Sequence, residues 1–128
     1  MHKCVLVIDD SLSIRNAIIR TIKELIPDVE VLGAVDGKEA IHLMTEHLFQ
    51  VIICDLEMPN MDGNEFAAKI KKNPLLARKN IILYTSNPDA VQEEVRKKSG
   101  VHIVNKTNPD SLKKVVDIVN TILTSPQH

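Results

Sequence analysis

The chain has 128 residues, of which 44% are hydrophobic and 2% aromatic, and its formal net charge at pH 7 is −1. This length suits one domain with a single core, and the near-neutral charge suggests neither a nucleic-acid-binding nor a membrane-attracted surface. No apolar stretch approaches membrane-spanning length, and the amino terminus runs into a strand-like segment without a signal-peptide pattern. We therefore expect one cytoplasmic domain over residues 1–128, with no output domain and no direct contact with nucleic acid or membrane.

Five apolar runs alternate with five segments that carry apolar residues at helical spacing. The apolar runs predict strands over 4–8, 30–35, 51–54, 81–84 and 101–104. Turn and capping residues predict helices that begin at Ser11, after Asp36-Gly37, after Gly63, at Asn87-Pro88 and at Asn108-Pro109. Strands that alternate with helices predict the α/β class, with a doubly wound parallel sheet of five strands and right-handed crossovers.

The helical segments differ in the apolar surface that they offer to a core. In the first, which Pro27 ends, apolar residues follow helical spacing at Ile14, Ala17, Ile18, Ile22, Leu25 and Ile26. The second is predicted to hold Ala40, Ile41, Leu43, Met44 and Leu48. The segment 88–98 has few apolar anchors, mainly Val91 and Val95, so we expect a loosely held helix. The last helix has a core stripe of Leu112, Val115, Val116, Val119, Ile122 and Leu123.

The two cysteines are predicted to be reduced thiols in the core. Cys4 begins the first strand and Cys54 ends the third. In adjacent parallel strands they would lie roughly 13 Å apart, at about 3.3 Å per residue, whereas a disulfide needs α-carbons within about 7 Å. The five histidines are scattered without metal-ligand spacing, which favours surface positions.

Carboxylates follow two of the predicted strands. Asp9-Asp10 comes after the first strand and Asp55 after the third, so the three side chains meet at one edge of the sheet if these strands are neighbours. At about 5 Å and an effective dielectric near 20, each pair would repel by roughly 3 kcal/mol. A hard divalent cation relieves this repulsion, and Mg²⁺ fits better than Ca²⁺ because few carboxylates are offered. The alternative for Asp9-Asp10 alone is a helix cap.

The order of these residues along the whole chain resembles the receiver domain of two-component response regulators. The matching features, each at the carboxyl end of a predicted strand or in the loop after the third strand, are Asp9-Asp10, Asp55, Met58-Pro59, Asp62-Gly63, Thr85 and Lys106. Taken singly, Lys106 is equally well a solvated surface lysine and Thr85 a helix cap. The resemblance implies a flavodoxin-like fold with strand order 2-1-3-4-5.

The resemblance also implies a function and a role for each matching residue. Asp55 would accept a phosphoryl group from the phosphohistidine of a sensor histidine kinase or phosphotransfer protein. Asp10, Asp55 and the backbone carbonyl of Glu57 would hold Mg²⁺, and Asp9 would help through water. Lys106 would pair with the phosphoryl oxygens, and the hydroxyl of Thr85 would bond to one of them. These groups supply the positioning and charge neutralisation that phosphoryl transfer needs.

Three positions depart from the family pattern. Thr107 stands where a proline, commonly after a cis peptide, usually follows the lysine, and a non-proline cis bond costs about 3–4 kcal/mol. Ile103 replaces the switching Tyr or Phe of many members. Glu57 adds a carboxylate two residues after Asp55. We expect the signal to leave through the helix 88–98, the strand 101–104 and the outer face of the last helix, including Ile118, towards a downstream protein.

Two other interpretations remain open. The chain could be a receiver cut from a longer regulator. It could also be a phosphatase of the haloacid dehalogenase type, which uses a strand-end aspartate, magnesium, a Thr or Ser and a lysine. That family has Asp-x-Asp at its nucleophile, whereas Glu57 stands at the second position here, and no cap insertion is present. We therefore favour a signalling protein whose only chemistry is self-phosphorylation from the phosphodonor and slow self-dephosphorylation.

Overall fold

A computed structural model describes residues 2–125 of the chain. The strands are β1 Lys3–Ile8, β2 Val29–Ala34, β3 Val51–Cys54, β4 Asn80–Thr85 and β5 Val101–Asn105. The helices are α1 Leu12–Leu25, α2 Gly37–Met44, α3 Gly63–Lys72, α4 Glu93–Arg96 and α5 Ser111–Thr124, and a single 3-10 turn spans Pro88–Ala90 before α4. Among the described residues, no helix combines the length and the apolar character that crossing a membrane would require.

The five strands form one parallel sheet in the order β2-β1-β3-β4-β5. Helices α1 and α5 pack on one face, and α2, α3 and α4 pack on the other. Because both faces are covered, all four residues of β3 are buried, which explains its unbroken apolar sequence. The predicted doubly wound fold and its strand order are confirmed.

The apolar residues of α1 do not all face the core. The buried positions are Ile18 and Ile22 in the helix and Ile26 at its end. Ile14 and Leu25 are 41% and 60% exposed, and Ala17 is also exposed, although all three follow the helical spacing of the buried residues.

The end of α2 also differs from the prediction. The helix ends at Met44, and Leu48 lies in the following loop with 74% of its surface exposed. Phe49 occupies the core instead, because the chain has already turned towards β3 and the next side chain points inwards. The predicted place of Leu48 in this helix is therefore wrong.

The predicted helix 88–98 is not continuous. Val91 and Gln92 are extended, with ψ of 123° and 144°, so the 3-10 turn and the four-residue α4 are separate. The buried side chain of Asn64 on α3 spans this break: its Nδ2 donates to the Ala90 carbonyl at 3.0 Å, and its Oδ1 accepts the Gln92 N–H at 2.8 Å. Backbone groups that a helix would have paired internally are thus bonded to a neighbouring element.

The two helix starts predicted at Asn-Pro pairs have different outcomes. A 3-10 turn begins at Pro88 after Asn87, as predicted, although Asn87 makes no side-chain capping bond to it. Helix α5 begins at Ser111 instead of at Asn108-Pro109. Asn108 uses its side-chain oxygen to accept the N–H of Asp110 at 3.2 Å, and this local turn competes with a cap.

The cysteines follow expectation and the histidines do so in part. Cys4 and Cys54 are both free and buried. His2 and His42 are exposed, His47 and His102 are half-buried, and His128 lies outside the described residues. The Nε2 of His102, on β5, has no partner among the described residues. Burial, followed by the nearby charge of Lys71, lowers the pKa of His102.

Candidate functional site

The acidic residues meet because β1 and β3 are neighbours in register. Ile8 pairs with Cys54, so the next residue of each strand, Asp9 and Asp55, arrives at the same edge of the sheet. The ladder continues through both aspartates: Asp9 N–H donates to the Ala34 carbonyl at 3.1 Å, and Asp55 N–H donates to the Ile8 carbonyl at 3.0 Å. These backbone hydrogen bonds therefore fix the positions of both aspartates at the end of the sheet.

Three carboxylates converge at this edge. One oxygen from each of Asp9, Asp10 and Asp55 can be chosen so that all lie within 4.8 Å of one another. Asp9 is buried, Asp10 is exposed and Asp55 is half-buried, so the group opens to solvent on one side. Such a set of hard oxygen ligands fits a divalent cation of the Mg²⁺ type, which retains several waters when few protein ligands are present.

Lys106 reaches into the acidic group from the end of β5. Its Nζ lies 3.3 Å from Asp9 Oδ2 and 3.3 Å from Asp55 Oδ1. The lysine side chain is 19% exposed, and its backbone N–H donates to the Thr85 carbonyl at 2.9 Å. The interpretation of Lys106 as a solvated surface lysine is therefore wrong.

The electrostatics of Asp55 reflect this crowding. Burial raises the pKa of the Asp55 carboxyl, the cation of Lys106 opposes that rise, and the negative charge of Asp9 adds to it. Burial and the same carboxylates raise the pKa of the adjacent Cys54 thiol well above its usual range, so this thiol stays protonated. It donates to the Asp55 carbonyl at 3.1 Å. The site holds more negative charge than its single lysine balances.

Asp9 is held more tightly than the other two carboxylates. Its Oδ1 accepts the N–H of Ser11 at 2.9 Å, while its Oδ2 faces Lys106. The guanidinium of Arg15 donates to the Asp9 carbonyl at 2.7 Å. Sequence reasoning missed Arg15, because nothing in its spacing distinguishes it from a surface residue of α1.

Thr85 lies beside the site at the end of β4 and is buried, with 1% exposure. Its hydroxyl oxygen accepts the N–H of Asn87 at 3.0 Å, so in this state the side chain stabilises the turn after β4. Its predicted bond to a phosphoryl oxygen stays a prediction.

Tyr84 and Ser111 are further residues that the sequence did not single out. The Tyr84 hydroxyl and the Ser111 Oγ share a buried hydrogen bond of 2.7 Å, and Ser111 Oγ donates to the Lys106 carbonyl at 3.4 Å. The Lys106 Nζ lies 5.3 Å from the centre of the Tyr84 ring. Lys106 is thus held by a hydrogen bond to its backbone carbonyl and by a cation–π contact between its ammonium group and the Tyr84 ring.

The loop after Asp55 closes tightly over the end of β3. Gly63 donates its N–H to the Leu56 carbonyl at 2.7 Å, and a Cβ at this position would lie 2.8 Å from the Asp55 carbonyl oxygen. Its φ is not positive, so the close approach, and not an unusual backbone angle, requires glycine here. The backbone N–H of Glu57 bonds to Asp55 and lowers the pKa of its carboxyl, while the Glu57 side chain is exposed.

The departures from the family pattern have local consequences. No peptide bond among residues 2–125 is cis, so Thr107 follows Lys106 through a trans bond. The Thr107 N–H and hydroxyl both donate to Asn105 Oδ1, at 3.0 and 2.8 Å, which closes the turn after β5. Ile103 is partly buried against the core on the side of α3 and α4.

The fold and the site together define a class of protein: an open parallel α/β sheet whose carboxyl edge carries an acidic cluster and one lysine between two carboxylates. A family model described as the response regulator receiver domain matches residues 5–117. The chain belongs to this family, whose members act in two-component signalling that depends on phosphorylation.

Relatives with similar sequences include chemotaxis proteins. A chemotaxis protein CheY homolog of Campylobacter jejuni is 34% identical over 120 residues, which cover 91% of this chain and 92% of that protein. Chemotaxis protein CheV1 of Helicobacter pylori is 30% identical over 125 residues, which cover 90% of this chain but only 37% of that protein. The chain thus spans little more than a third of CheV1.

Solved structures share the fold over nearly the whole chain. Chemotaxis response regulator CheY4 of Vibrio cholerae has a TM-score of 0.77 at 29% identity, covering 93% of this chain and 99% of that one. Response regulator TrrA of Thermotoga maritima, crystallised in complex with Mg²⁺-BeF, has a TM-score of 0.75 at 28% identity, covering 91% and 98%.

Proposed function

We propose that this chain is a signalling switch in which Asp55 accepts a phosphoryl group from the phosphohistidine of a sensor histidine kinase or phosphotransfer protein. The single observation that carries the proposal is the position of Lys106 Nζ, 3.3 Å from a carboxylate oxygen of both Asp9 and Asp55. A lysine held at this point neutralises charge on a group attached to Asp55, and its contact with Asp9 keeps it there.

The transfer is a direct displacement. An oxygen of ionised Asp55 attacks the phosphorus, the P–N bond to the imidazole breaks, and its electron pair stays on the imidazole nitrogen. Asp55 is 15% exposed at the side chain, so one direction of approach from solvent is available for the phosphodonor. Lys106 supplies positive charge to the transferred oxygens, and catalysis consists mainly of positioning and charge neutralisation.

Mg²⁺ is the proposed cofactor. Its ligands would be Asp10, Asp55 and the backbone carbonyl of Glu57, with Asp9 contributing through water. The ion neutralises the phosphoryl oxygens when it is bound. The clustering of the three carboxylates within 4.8 Å supports this set, as does the Mg²⁺-BeF complex of the similar TrrA.

The response to phosphorylation is proposed to pass from Thr85 and Lys106 to the surface formed by α4, β5 and the outer face of α5. On phosphorylation the Thr85 hydroxyl would exchange its bond to Asn87 for a bond to a phosphoryl oxygen. That exchange loosens the turn that leads into Pro88–Ala90 and α4. With Ile103 in place of an aromatic switch, the coupling rests on Thr85 and the backbone bond from Lys106 to Thr85.

We further propose a cytoplasmic single-domain regulator that works through partner binding and is not a turnover enzyme. The CheY homolog of similar length supports this interpretation, whereas the short matched part of CheV1 supports the alternative that this chain is one segment of a longer regulator. The downstream partner is a protein that reads the surface of α4, β5 and α5.

Phosphorylation with acetyl phosphate tests this function. In Mg²⁺, intact mass should rise by one phosphoryl group in the wild type and in Asp89→Asn, an exposed carboxylate outside the site, and should not change in Asp55→Asn. Phosphorylation that persists in Asp55→Asn would contradict the proposal. Sustained turnover of small phosphomonoesters would instead support the haloacid dehalogenase alternative.

A further inference from the structure

A second group of potential metal ligands lies at the opposite edge of the sheet from Asp55. At the amino end of β1, one ligand atom from each of His2, Cys4 and Glu30 lies within 4.8 Å of the other two. His2 Nε2 is 3.6 Å from Glu30 Oε2. Cys4 is fully buried, whereas the side chains of His2 and Glu30 are 62% and 46% exposed, so the group is closed on the sulfur side and open to solvent on the other.

The register of the sheet brings these three residues together. Side chains alternate along a strand, so His2 and Cys4 point to the same face. Glu30 on β2 is the direct partner of Cys4 on β1, which places its side chain on that face as well. The cluster depends on tertiary pairing, and for this reason the spacing of histidines in the sequence did not reveal it.

The side chain of Gln50 fixes the backbone of Cys4 on β1 and of His2 just before it. Its Oε1 accepts the N–H of Cys4 at 2.7 Å, and its Nε2 donates to the carbonyl of His2 at 2.8 Å. The two bonds join residues 46 and 48 positions apart in the sequence. These bonds hold His2 beside Cys4 and Glu30.

We infer that His2, Cys4 and Glu30 form a binding site for a transition-metal dication of the Zn²⁺ type. A thiolate, an imidazole and a carboxylate are the three protein ligands of an open tetrahedral zinc site, with water in the fourth position. The sulfur and nitrogen donors select against Mg²⁺, which prefers oxygen. At about 3.3 Å per residue, β1 separates this site from the acidic edge by roughly 16 Å, so the two sites take different ions.

Metal binding requires the thiol to lose its proton. Burial and the neighbouring charge of Glu30 raise the pKa of Cys4 to about 11, so the thiol is protonated without metal. As the metal–sulfur bond forms, the proton passes to solvent, so no oxidant or other reactant is needed. The bound ion would join β1 to β2 at the edge of the sheet.

Titration of the full chain with Co²⁺ in excess Mg²⁺ tests the site, because under the proposed function Mg²⁺ competes for the acidic edge, and only Co²⁺ bound by a thiolate gives a sulfur-to-metal charge-transfer band. We expect this band to saturate at one Co²⁺ per chain and to disappear when Zn²⁺ is added. Cys4→Ser should abolish it, whereas Cys54→Ser, the matched buried cysteine beside Asp55, should retain it. Loss of the band in Cys54→Ser alone would overturn the inference.

Two exposed ligands provide variants that do not disturb the core. His2→Ala and Glu30→Gln should each weaken Co²⁺ binding by more than about tenfold, the loss that even an outer-shell partner commonly causes. The circular dichroism of both should match the wild type, since both side chains are largely exposed. Unchanged affinity in both variants, or no charge-transfer band in the wild type, would show that the three side chains do not form a metal site.

Discussion

The two edges of the sheet differ in what holds them together. At the carboxyl edge, Asp9, Asp10 and Asp55 gather around one lysine, and burial raises the pKa of Asp55. At the amino edge, Phe49 is fully buried, and Gln50 bonds to the backbone on both sides of Lys3. Charge crowding destabilises the first edge, whereas packing and paired polar groups stabilise the second. The difference teaches that the unfavourable contacts among the described residues concentrate at the edge that carries Asp55, the proposed phosphorylation site.

The largest effect should come from the amino edge. Phe49→Ala should lower the free energy of unfolding by about 3–5 kcal/mol, because it removes a fully buried ring. Leu48→Ala, next to it but 74% exposed, should change this free energy by less than about 0.5 kcal/mol. Urea denaturation measures both variants. Equal losses would show that the amino edge is not packed as described.

The next effect concerns metal at the carboxyl edge. Mg²⁺ should stabilise the wild type by about 2.7 kcal/mol when its free concentration is 100 times the dissociation constant. The ion relieves the repulsion among the three carboxylates, so the shift in Tm should largely vanish in Asp10→Ala. A Tm that does not respond to millimolar Mg²⁺ would contradict the proposed ligand set.

A smaller effect should come from the bridge between α3 and the segment before α4. Asn64→Ala leaves the Ala90 carbonyl and the Gln92 N–H without their partner, which should cost roughly 1–2 kcal/mol. Amide exchange at Gln92 should accelerate, while the exposed Asn120→Ala on α5 should behave as the wild type. Unchanged exchange at Gln92 in Asn64→Ala would show that the side chain does not hold this segment.

The smallest expected effect is a mutation that stabilises the folded protein instead of destabilising it. Burial raises the pKa of Asp55 above its ordinary value of 3.8, so the folded state favours the protonated carboxyl. The resulting contribution of the protonated carboxyl to folding stability is fully present below the unfolded-state pKa. It is lost as the pH rises through the folded-state pKa. Without Mg²⁺, Asp55→Asn should therefore be more stable than the wild type at pH 7.

The pH profile of this difference supplies the control. The advantage of Asp55→Asn should shrink as the pH falls through the folded-state pKa, and it should be gone below 3.8, where the wild-type carboxyl is protonated in both states. Thermal melts of the two proteins in EDTA across this range measure it. An advantage that is equal at every pH would come from packing and not from charge.

The sheet and its acidic edge were predictable because strands and their ends leave local signals. An unbroken apolar run such as 51–54 predicts a strand covered on both faces, and the residue that follows it then lies at the edge. The sequence predicted that Asp9, Asp10 and Asp55 lie close together once the first and third strands were assumed to be neighbours. Lys106 needed the resemblance to a family, since a lone lysine after a strand carries no specific signal.

The features that the sequence did not predict depend on contacts between residues far apart in the sequence. Asn64 interrupts the predicted helix 88–98 from 26 and 28 positions away, and no local pattern encodes those bonds. Ser111 forms a hydrogen bond with Tyr84, which lies 27 positions away in the sequence. Leu48 was assigned to the second helix because helical spacing was extended past the true end of α2 at Met44.

The proposal that Asp55 phosphorylation is read by Lys106 and passed to the surface of α4, β5 and α5 has one direct test. Amide exchange should be compared before and after treatment with acetyl phosphate and Mg²⁺ in the wild type, Asp55→Asn and Lys106→Ala. We predict changes between residues 85 and 106 in the wild type, none in Asp55→Asn, and weaker changes in Lys106→Ala although it is still phosphorylated. Wild-type changes confined to residues 57–63, or an equal response in Lys106→Ala, would contradict this mechanism.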